Sequence, residues 1–309
     1  MLKADTTKKL LSLLVLVAFI LGVQWFWGWG EILHPWTQLS WPAILLAAGL
    51  IIVSYQLRTL RIYDYFLQDI RGRWWLCVKL VLIHNILNNI MPMRSGEVSF
   101  PLLMKRYFAI DYSRSLPALL WFRLLDLHTI LALGMLSLVP DGFSIWLSAL
   151  VLIGWLAMPV AVYILRNFLL GKLGSSEDEK GWKRLAKKGL SGLPDSHWRF
   201  ISCWALTWMN WVLKLLVLVW ILGQFIALNF MSRLSGAIAG ELTSVLPFHA
   251  PGGVGTYEVG IAAALLPHTT AELATPAAIN LHLFILSVSV IGGIIGYLIP
   301  KGNVVPEKV

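Results

Sequence analysis

Two apolar stretches of the sequence are interrupted by polar residues in the same order. The first reads NNIMPMRSGEV over 88–98 and the second reads PFHAPGGVGTYEV over 247–259. Each places proline in a turn, followed by Ser or Thr, one residue, Glu and Val. Ser95 and Thr256 suit the N-cap of a helix, and Glu97 and Glu258 would fall in its first turn, where the macrodipole stabilises a carboxylate. The pattern therefore predicts, twice, a helix, a polar tip and a second helix that starts at that tip.

The chemistry expected of these tips is the binding of an anion. Arg94, beside the backbone N–H groups that open a helix, is a candidate phosphate ligand, and the alternative is an ion pair with Glu97. The second tip has glycines that permit a tight turn close to a headgroup, although glycines also serve close helix packing. These are Gly252, Gly253 and Gly255.

Three asparagines precede the first tip. Asn85, Asn88 and Asn89 share one face of a helix by their spacing. They either line a polar groove or satisfy the backbone of the tip, and the sequence leaves both interpretations open.

Other ionisable residues lie in apolar segments, where charge is costly and function is the default hypothesis. Arg123 and Asp126 are one helical turn apart in WFRLLDLH. They form either a structural ion pair or, with His128, a gate or proton relay. Lys214, with Asn210, gives its segment one polar face.

Two carboxylates have no basic residue near them in the sequence. Glu241 therefore either pairs in space or is protonated. Glu258 is expected to carry a proton during part of a transport cycle. Both join the candidate residues of a polar cavity.

The elements that position these residues are membrane-spanning helices. Of the 309 residues, 58% are hydrophobic and 13% charged, whereas soluble domains carry about 25% charged residues. A helix needs about 20 apolar residues to cross the hydrocarbon core. Six stretches qualify, at residues 10–28, 41–57, 115–138, 143–165, 200–226 and 277–299.

The broken stretches, at 74–108 and 232–267, are predicted to be re-entrant hairpins, because irregular backbone at membrane depth must be surrounded by protein or water. The alternative is two kinked ordinary spans. The fold class is thus an all-α polytopic bundle of about six spans and two hairpins. Residues 1–140 form a first repeat of two spans, a hairpin and one span, and residues 141–309 form a second, inverted repeat.

Basic residues set the orientation. This topology places twenty of the 25 Lys and Arg residues in cytoplasmic segments, with Arg58 and Arg61 among them and the loop 167–198 as the longest. The expected location is the inner (plasma) membrane of a bacterium, with both termini cytoplasmic. The net charge of +9 then reflects the positive-inside bias, and no nucleic-acid partner is expected.

Catalytic and metal-binding motifs are absent from the sequence. There is no HExxH, GxSxG or Walker loop, and Cys77 and Cys203 form no metal or disulfide pattern. We therefore expect no enzyme activity, no cofactor and no metal.

At these motifs the chain resembles the transmembrane region of lysylphosphatidylglycerol synthases, which is shared by many stand-alone flippase-like proteins. The resemblance rests on residues 88–97, on Arg123-Leu-Leu-Asp126-Leu and on residues 251–258. It implies movement of a lipid between leaflets. The basic residue that often follows Gly-Glu in the family is absent, and Lys105 is the nearest. Because the sequence ends at Val309, no aminoacyl-transfer domain is expected.

The leading hypothesis is a flippase or transporter for a phosphate-bearing lipid, either a phospholipid or a polyprenyl phosphate. The alternatives are a membrane-embedded transferase acting on a lipid-linked substrate, and a non-transporting partner of a glycosyltransferase or lipid synthase. A homodimer, or association with a lipid-modifying enzyme, is compatible with each.

Overall fold

The computed structural model shows helices and no strand in the part of the chain that it describes. That part comprises residues 14, 17–137, 144–173, 181–244 and 251–300. The side chains of residues 92–94, 182 and 251 lie outside the description.

Five helices are long and apolar enough to cross a membrane. They are α3 (Trp41–Tyr65), α7 (Tyr112–Ser137), α8 (Ile145–Ile164), α11 (His197–Phe225) and α14 (Ala271–Leu298). These correspond to five of the six predicted spans. The remaining predicted span, 10–28, is described at residues 14 and 17–28, where a ten-residue apolar helix α1 (Val17–Phe26) is followed by α2 (Trp29–Gln38).

Each broken stretch forms two helices that pack against each other across an irregular tip. The first hairpin consists of α5 (Trp74–Ile90), a 3₁₀ turn (Pro92–Val98) and α6 (Ser99–Phe108). The second consists of α12 (Phe230–Thr243), a 3₁₀ turn (Pro251–Gly253) and α13 (Thr256–Leu265). The sequence predicted these bounds within two residues, because proline and glycine interrupt the apolar pattern there.

The two tips meet, and each hairpin packs against the other half of the chain. The Pro92–Val98 turn contacts the Pro251–Gly253 turn, α5 lies along α14, and α12 lies along α7. The helices that precede the hairpins, α3 and α11, form the most extensive helix pair. This reciprocal packing brings the two tips together in the interior of the bundle.

The second predicted span continues eight residues past its predicted end. The sequence placed the end of the second span at residue 57 and counted Arg58 and Arg61 among the cytoplasmic basic residues, but α3 continues to Tyr65. Arg61 is buried. These two arginines therefore project from a helix into the bundle, and assigning them to a loop was wrong.

Short helices complete the described chain. They are α4 (Leu67–Ile70), α9 (Arg166–Lys172) and α10 (Trp182–Ser191). The last two occupy the predicted loop 167–198, and α10 packs against α7.

A lysine joins the first hairpin to the end of the last helix. Lys79 on α5 is buried, and its ammonium donates hydrogen bonds to the carbonyl oxygens of Gly296 and Tyr297 at 3.0 Å and to that of Ile299. Since the last carbonyls of a helix have no intrahelical partner, the ammonium satisfies groups that α14 cannot satisfy itself.

Candidate functional site

A polar cavity of about 220 Å³ lies where the two tips meet. Its walls come from α3, α5, α7, α11, α12, α14 and the second tip. Polar or charged lining residues include Tyr55, Arg58, Asn85, Asn88, Asn89, Arg123, Asp126, Lys214, Glu241, Ser244, Tyr257 and His282, with the backbone of Gly252 and Gly253. Such a concentration of polar groups inside an apolar bundle makes this cavity the candidate functional site.

At the first tip, Glu97 pairs with an arginine on the helix that follows the hairpin. The Arg123 guanidinium lies 2.8 Å from a Glu97 carboxylate oxygen, and its Nε and Nη2 both donate to Oε2. The side chains are 25% and 20% exposed. His84 extends the network, because its Nε2 lies 3.3 Å from Arg123 Nη2 and its Nδ1 2.8 Å from Ser99 Oγ.

At the second tip, Glu258 pairs with a histidine on the helix that follows. Its Oε1 lies 2.8 Å from His282 Nδ1, and its Oε2 accepts a hydrogen bond from the Gly255 N–H at 2.7 Å. Both side chains are only 5% exposed, and the Tyr257 ring stacks on the imidazole. Glu258 lacks a basic residue nearby in the sequence but has His282 as a partner in space.

The helix starts at the two tips differ from the prediction. Glu258 does occupy the first turn of α13, but Thr256 lies inside that helix and Gly255 is its N-cap residue. Ser95 lies within a 3₁₀ turn that also contains Glu97, and α6 begins only at Ser99. The N-cap roles of Ser95 and Thr256 were therefore wrong, because a 3₁₀ turn and a glycine turn precede the helices.

A third ion pair joins α11 to the second hairpin. Lys214 Nζ donates to Glu241 Oε2 at 2.7 Å, and the Tyr257 hydroxyl donates to Oε1 at 3.1 Å. Of the two possibilities for Glu241, the structure therefore has the spatial ion pair.

Asp126 has a closer partner than Arg123. Its Oδ1 accepts hydrogen bonds from Arg61 Nη1 at 2.7 Å and from the Trp211 indole N–H at 3.0 Å, whereas Arg123 Nη1 lies 3.4 Å from Oδ2. The predicted pair within α7 exists, but both members bind more closely to other helices. His128 does not join it, because its Nε2 contacts the Trp155 carbonyl.

The three asparagines line the cavity, as one of the two interpretations held. Asn85 Oδ1 accepts from Arg58, Asn88 Nδ2 donates to Glu97, and Asn89 Nδ2 donates to Ser289 Oγ on α14. The last bond crosses from one half of the chain to the other.

Arg58 is one of the polar lining residues that the sequence analysis missed, along with Tyr55, Ser244, Tyr257 and His282. Its Nη1 donates to Asn85 Oδ1 at 2.8 Å, its Nε is buried without a hydrogen bond, and no described carboxylate lies within ion-pair distance. A signal was present, since Tyr55, Arg58 and Arg61 follow one another at intervals of three, on one face of a helix continued past residue 57.

Nine of the thirteen predicted site residues line the cavity. They are Asn85, Asn88, Asn89, Arg123, Asp126, Lys214, Glu241, Gly252 and Gly253. Glu97 and Glu258 do not line the cavity, but their partners Arg123 and His282 do. Gly255 donates its backbone N–H to Glu258. The Arg94 side chain lies outside the described residues. No group of three potential metal ligands occurs in the described part of the chain.

Comparison with known protein families identifies the family of this chain. Residues 10–293 match the family described as the lysylphosphatidylglycerol synthase TM region. The chain belongs to this family. Comparison with curated proteins finds no match, and comparison with solved structures also finds none. The membership covers both tips and the cavity, and with the five apolar helices it makes the chain a multi-pass membrane protein with an all-α fold.

Proposed function

We propose that this protein moves a phosphate-bearing lipid between the leaflets of the bacterial inner membrane without altering it chemically. The observation that carries the proposal is Arg58, a cation in the cavity for which the described residues offer no carboxylate within ion-pair distance; Asp126 acts on it only from farther away. A charge without a close counter-ion in a low-dielectric bundle is costly. A headgroup phosphate would supply the missing negative charge.

The lengths of the hairpin arms support a site at membrane depth. The four arms have 17, 10, 14 and 10 residues, so at 1.5 Å per residue they span between about 15 and 26 Å. The hydrocarbon core is about 30 Å thick. We therefore propose that both hairpins re-enter on the side from which they came, in inverted orientation, so that their tips meet inside the membrane.

The existing ion pairs explain how an anion can enter a cavity that contains carboxylates. Glu241 is neutralised by Lys214, and Asp126 by Arg61. Arg123 is shared between Glu97 and Asp126, so a phosphate can replace one of these contacts without stranding the guanidinium. The acyl chains would remain in the bilayer while the headgroup crosses along these polar groups.

The orientation belongs to the same proposal. The basic helix α10 and the basic residues around α9 lie on the side where the first hairpin opens in the proposed topology. The positive-inside bias would place that side, with both chain termini, in the cytoplasm.

Proteoliposomes test the function directly. An anionic phospholipid labelled on its acyl chain is incorporated into both leaflets, and an impermeant reductant bleaches only the outer one. We expect the inner pool to become accessible at least about tenfold faster with the protein than in protein-free vesicles. Arg58→Gln should slow the exchange, whereas Arg114→Gln, which removes an exposed ion pair with Asp69, should not. Equal rates with and without the wild-type protein would contradict the proposal.

Labelling tests the re-entrant topology. In a chain whose two native cysteines are replaced by alanine, Val98→Cys should react only with reagents supplied from the cytoplasmic side. Val254→Cys should react only from the opposite side. Reaction of either tip from the wrong side would mean that the hairpins do not enter as proposed.

A further inference from the structure

A proline breaks the hydrogen-bond pattern of α8 deep in the membrane. Pro159 lies in the second half of this helix, which runs over Ile145–Ile164, and is buried. Proline has no backbone N–H, so the carbonyl group four residues earlier, that of Trp155, has no partner within the helix. At 1.5 Å per residue α8 is about 30 Å long, which is roughly the thickness of the hydrocarbon core. Trp155 is near the middle of α8, where lipid offers no hydrogen-bond donor.

A histidine of the neighbouring helix supplies the missing donor. His128 on α7 places its Nε2 2.8 Å from the Trp155 carbonyl oxygen. A carbonyl oxygen only accepts hydrogen bonds, so this nitrogen carries the proton. The Trp155 indole N–H donates in return to the His128 carbonyl oxygen at 3.0 Å, and the two rings stack with centroids 5.3 Å apart. His128 Nδ1 has no hydrogen-bond partner among the described residues, so the polar role of this side chain is to satisfy the carbonyl that Pro159 leaves free.

The position of this proline distinguishes it from the prolines inside the other long helices. Pro117 is in the second turn of α7 and Pro276 in the second turn of α14. The carbonyl groups that they free belong to the first turn, close to the end of the span, where water is available. Pro159 instead frees a carbonyl near the middle of its helix, which needs a donor from the protein.

The two halves of α8 are attached to the bundle differently. After Pro159, the Tyr163 ring stacks on Phe200 of α11 with centroids 4.3 Å apart. Before it, the large apolar side chains face outward, with Trp146 and Leu150 83% and 66% exposed. In the described part of the chain, the hydrogen bonds that tie this first half to another helix are the two described above.

From these observations we infer that α8 is hinged at Pro159 and that His128 is the latch that holds its first half against α7. A helix bends readily at proline, because one hydrogen bond is missing and the ring crowds the preceding turn. The freed carbonyl is satisfied while α7 and α8 touch, so the closed position is favoured, and loss of the histidine donor lets the first half of α8 move away. Asp126, two residues before His128, lines the cavity, so the latch borders the cavity wall.

Thermal unfolding of the detergent-purified full chain tests the role of the histidine. His128→Leu removes the donor and should lower the unfolding temperature by about 5 °C, as expected for one unsatisfied buried carbonyl. His128→Gln, whose amide can still donate, should cost less. Pro159→Ala restores the backbone N–H, so in that background His128→Leu should cost at most about half as much.

The matched control is Pro276→Ala, which restores an N–H elsewhere and should leave the effect of His128→Leu unchanged. Equal losses from His128→Leu in the wild-type and Pro159→Ala backgrounds would overturn the inference.

Spin-label distances test the hinge itself. In a chain whose two native cysteines are replaced by alanine, labels are attached at Leu150→Cys on α8 and at Leu273→Cys on α14, both at exposed positions. We expect one narrow distance distribution with His128 present, a second and displaced component with His128→Leu, and loss of that component when Pro159→Ala is added. A single unchanged distribution in folded His128→Leu protein would mean that α8 is rigid and would overturn the inference. Neither measurement depends on lipid transport, so failure of the proposed function would leave the hinge standing.

Discussion

The two hairpin tips share the same arrangement of side chains but differ in chemistry. Each has a carboxylate within hydrogen-bond distance of a basic side chain on the helix that follows, 26 residues later for Glu97 and Arg123 and 24 residues later for Glu258 and His282. The first pair is partly exposed and uses a guanidinium, which is always charged. The second is almost fully buried, with Tyr257 stacked on the His282 imidazole, which itself lines the cavity.

Under the proposed function this difference implies a division of roles between the halves. The first tip would present a permanent charge to a headgroup. The second would support the tip turn, since Glu258 also accepts a hydrogen bond from the Gly255 N–H. Two equivalent tips would offer two equivalent binding positions, whereas the proposal expects one binding tip and one supporting tip.

The largest expected effect concerns the buried ion pair between Arg61 and Asp126. Asp126 and Arg61 are 5% and 3% exposed, and breaking a buried pair costs about 3–5 kcal/mol. Asp126→Ala should greatly reduce the yield and the unfolding temperature of the detergent-purified protein. The double variant Arg61→Met with Asp126→Leu should recover part of the loss, and Arg114→Ala at the exposed pair should change stability by at most about 1 kcal/mol. Additive losses in the double variant would mean that the two charges act independently.

The tips should also differ in why they need glycine. At Gly96 an added Cβ would lie 2.6 Å from the Asn88 backbone nitrogen, whereas at Gly252 the nearest atom would be 3.6 Å away, an ordinary contact, but φ is +76°. Gly96→Ala should cost about 1–3 kcal/mol through overpacking, and Gly252→Ala about 1–2 kcal/mol through the left-handed conformation.

Asparagine distinguishes the two causes, because it tolerates positive φ but is larger than alanine. Gly252→Asn should be milder than Gly252→Ala, and Gly96→Asn should be worse than Gly96→Ala, as measured by thermal unfolding. The same ranking at both tips would contradict the distinction.

Removing each tip carboxylate should affect lipid selectivity unequally. Glu97→Gln gives the cavity network one more positive charge and should improve the binding of phosphatidic acid relative to phosphatidylglycerol by about tenfold, the effect of roughly one charged hydrogen bond. Glu258→Gln should leave this ratio nearly unchanged, because the Glu258 side chain is only 5% exposed, against 20% for Glu97. Native mass spectrometry measures both ratios, and equal shifts would make the tips equivalent.

The sequence predicted the helices and the tips well because their signals are local. Apolar length defines the spans, and Pro251 and the glycines interrupt the second hairpin where the structure does. The end of α3 was misplaced because Arg58 looked like a loop cation, and its partner Asn85 is 27 residues away.

The partners within the cavity could not be predicted, because they depend on how helices pack. Arg61 and Asp126 are 65 residues apart, and nothing local relates them. The spacing of the three asparagines was enough to predict that they share one helix face. Whether they line a groove or support the backbone of the tip depends on how the helix packs against the other half of the chain.

The Lys79 contacts have a consequence for the order of synthesis. The carbonyl groups that this ammonium reaches are translated 217 to 220 residues after it. The first hairpin enters the membrane long before its last acceptors exist, so its final packing must wait for α14. Assembly of the site is therefore completed only at the end of translation. A nascent chain interrupted before residue 296 would lack the carbonyl groups that accept hydrogen bonds from Lys79.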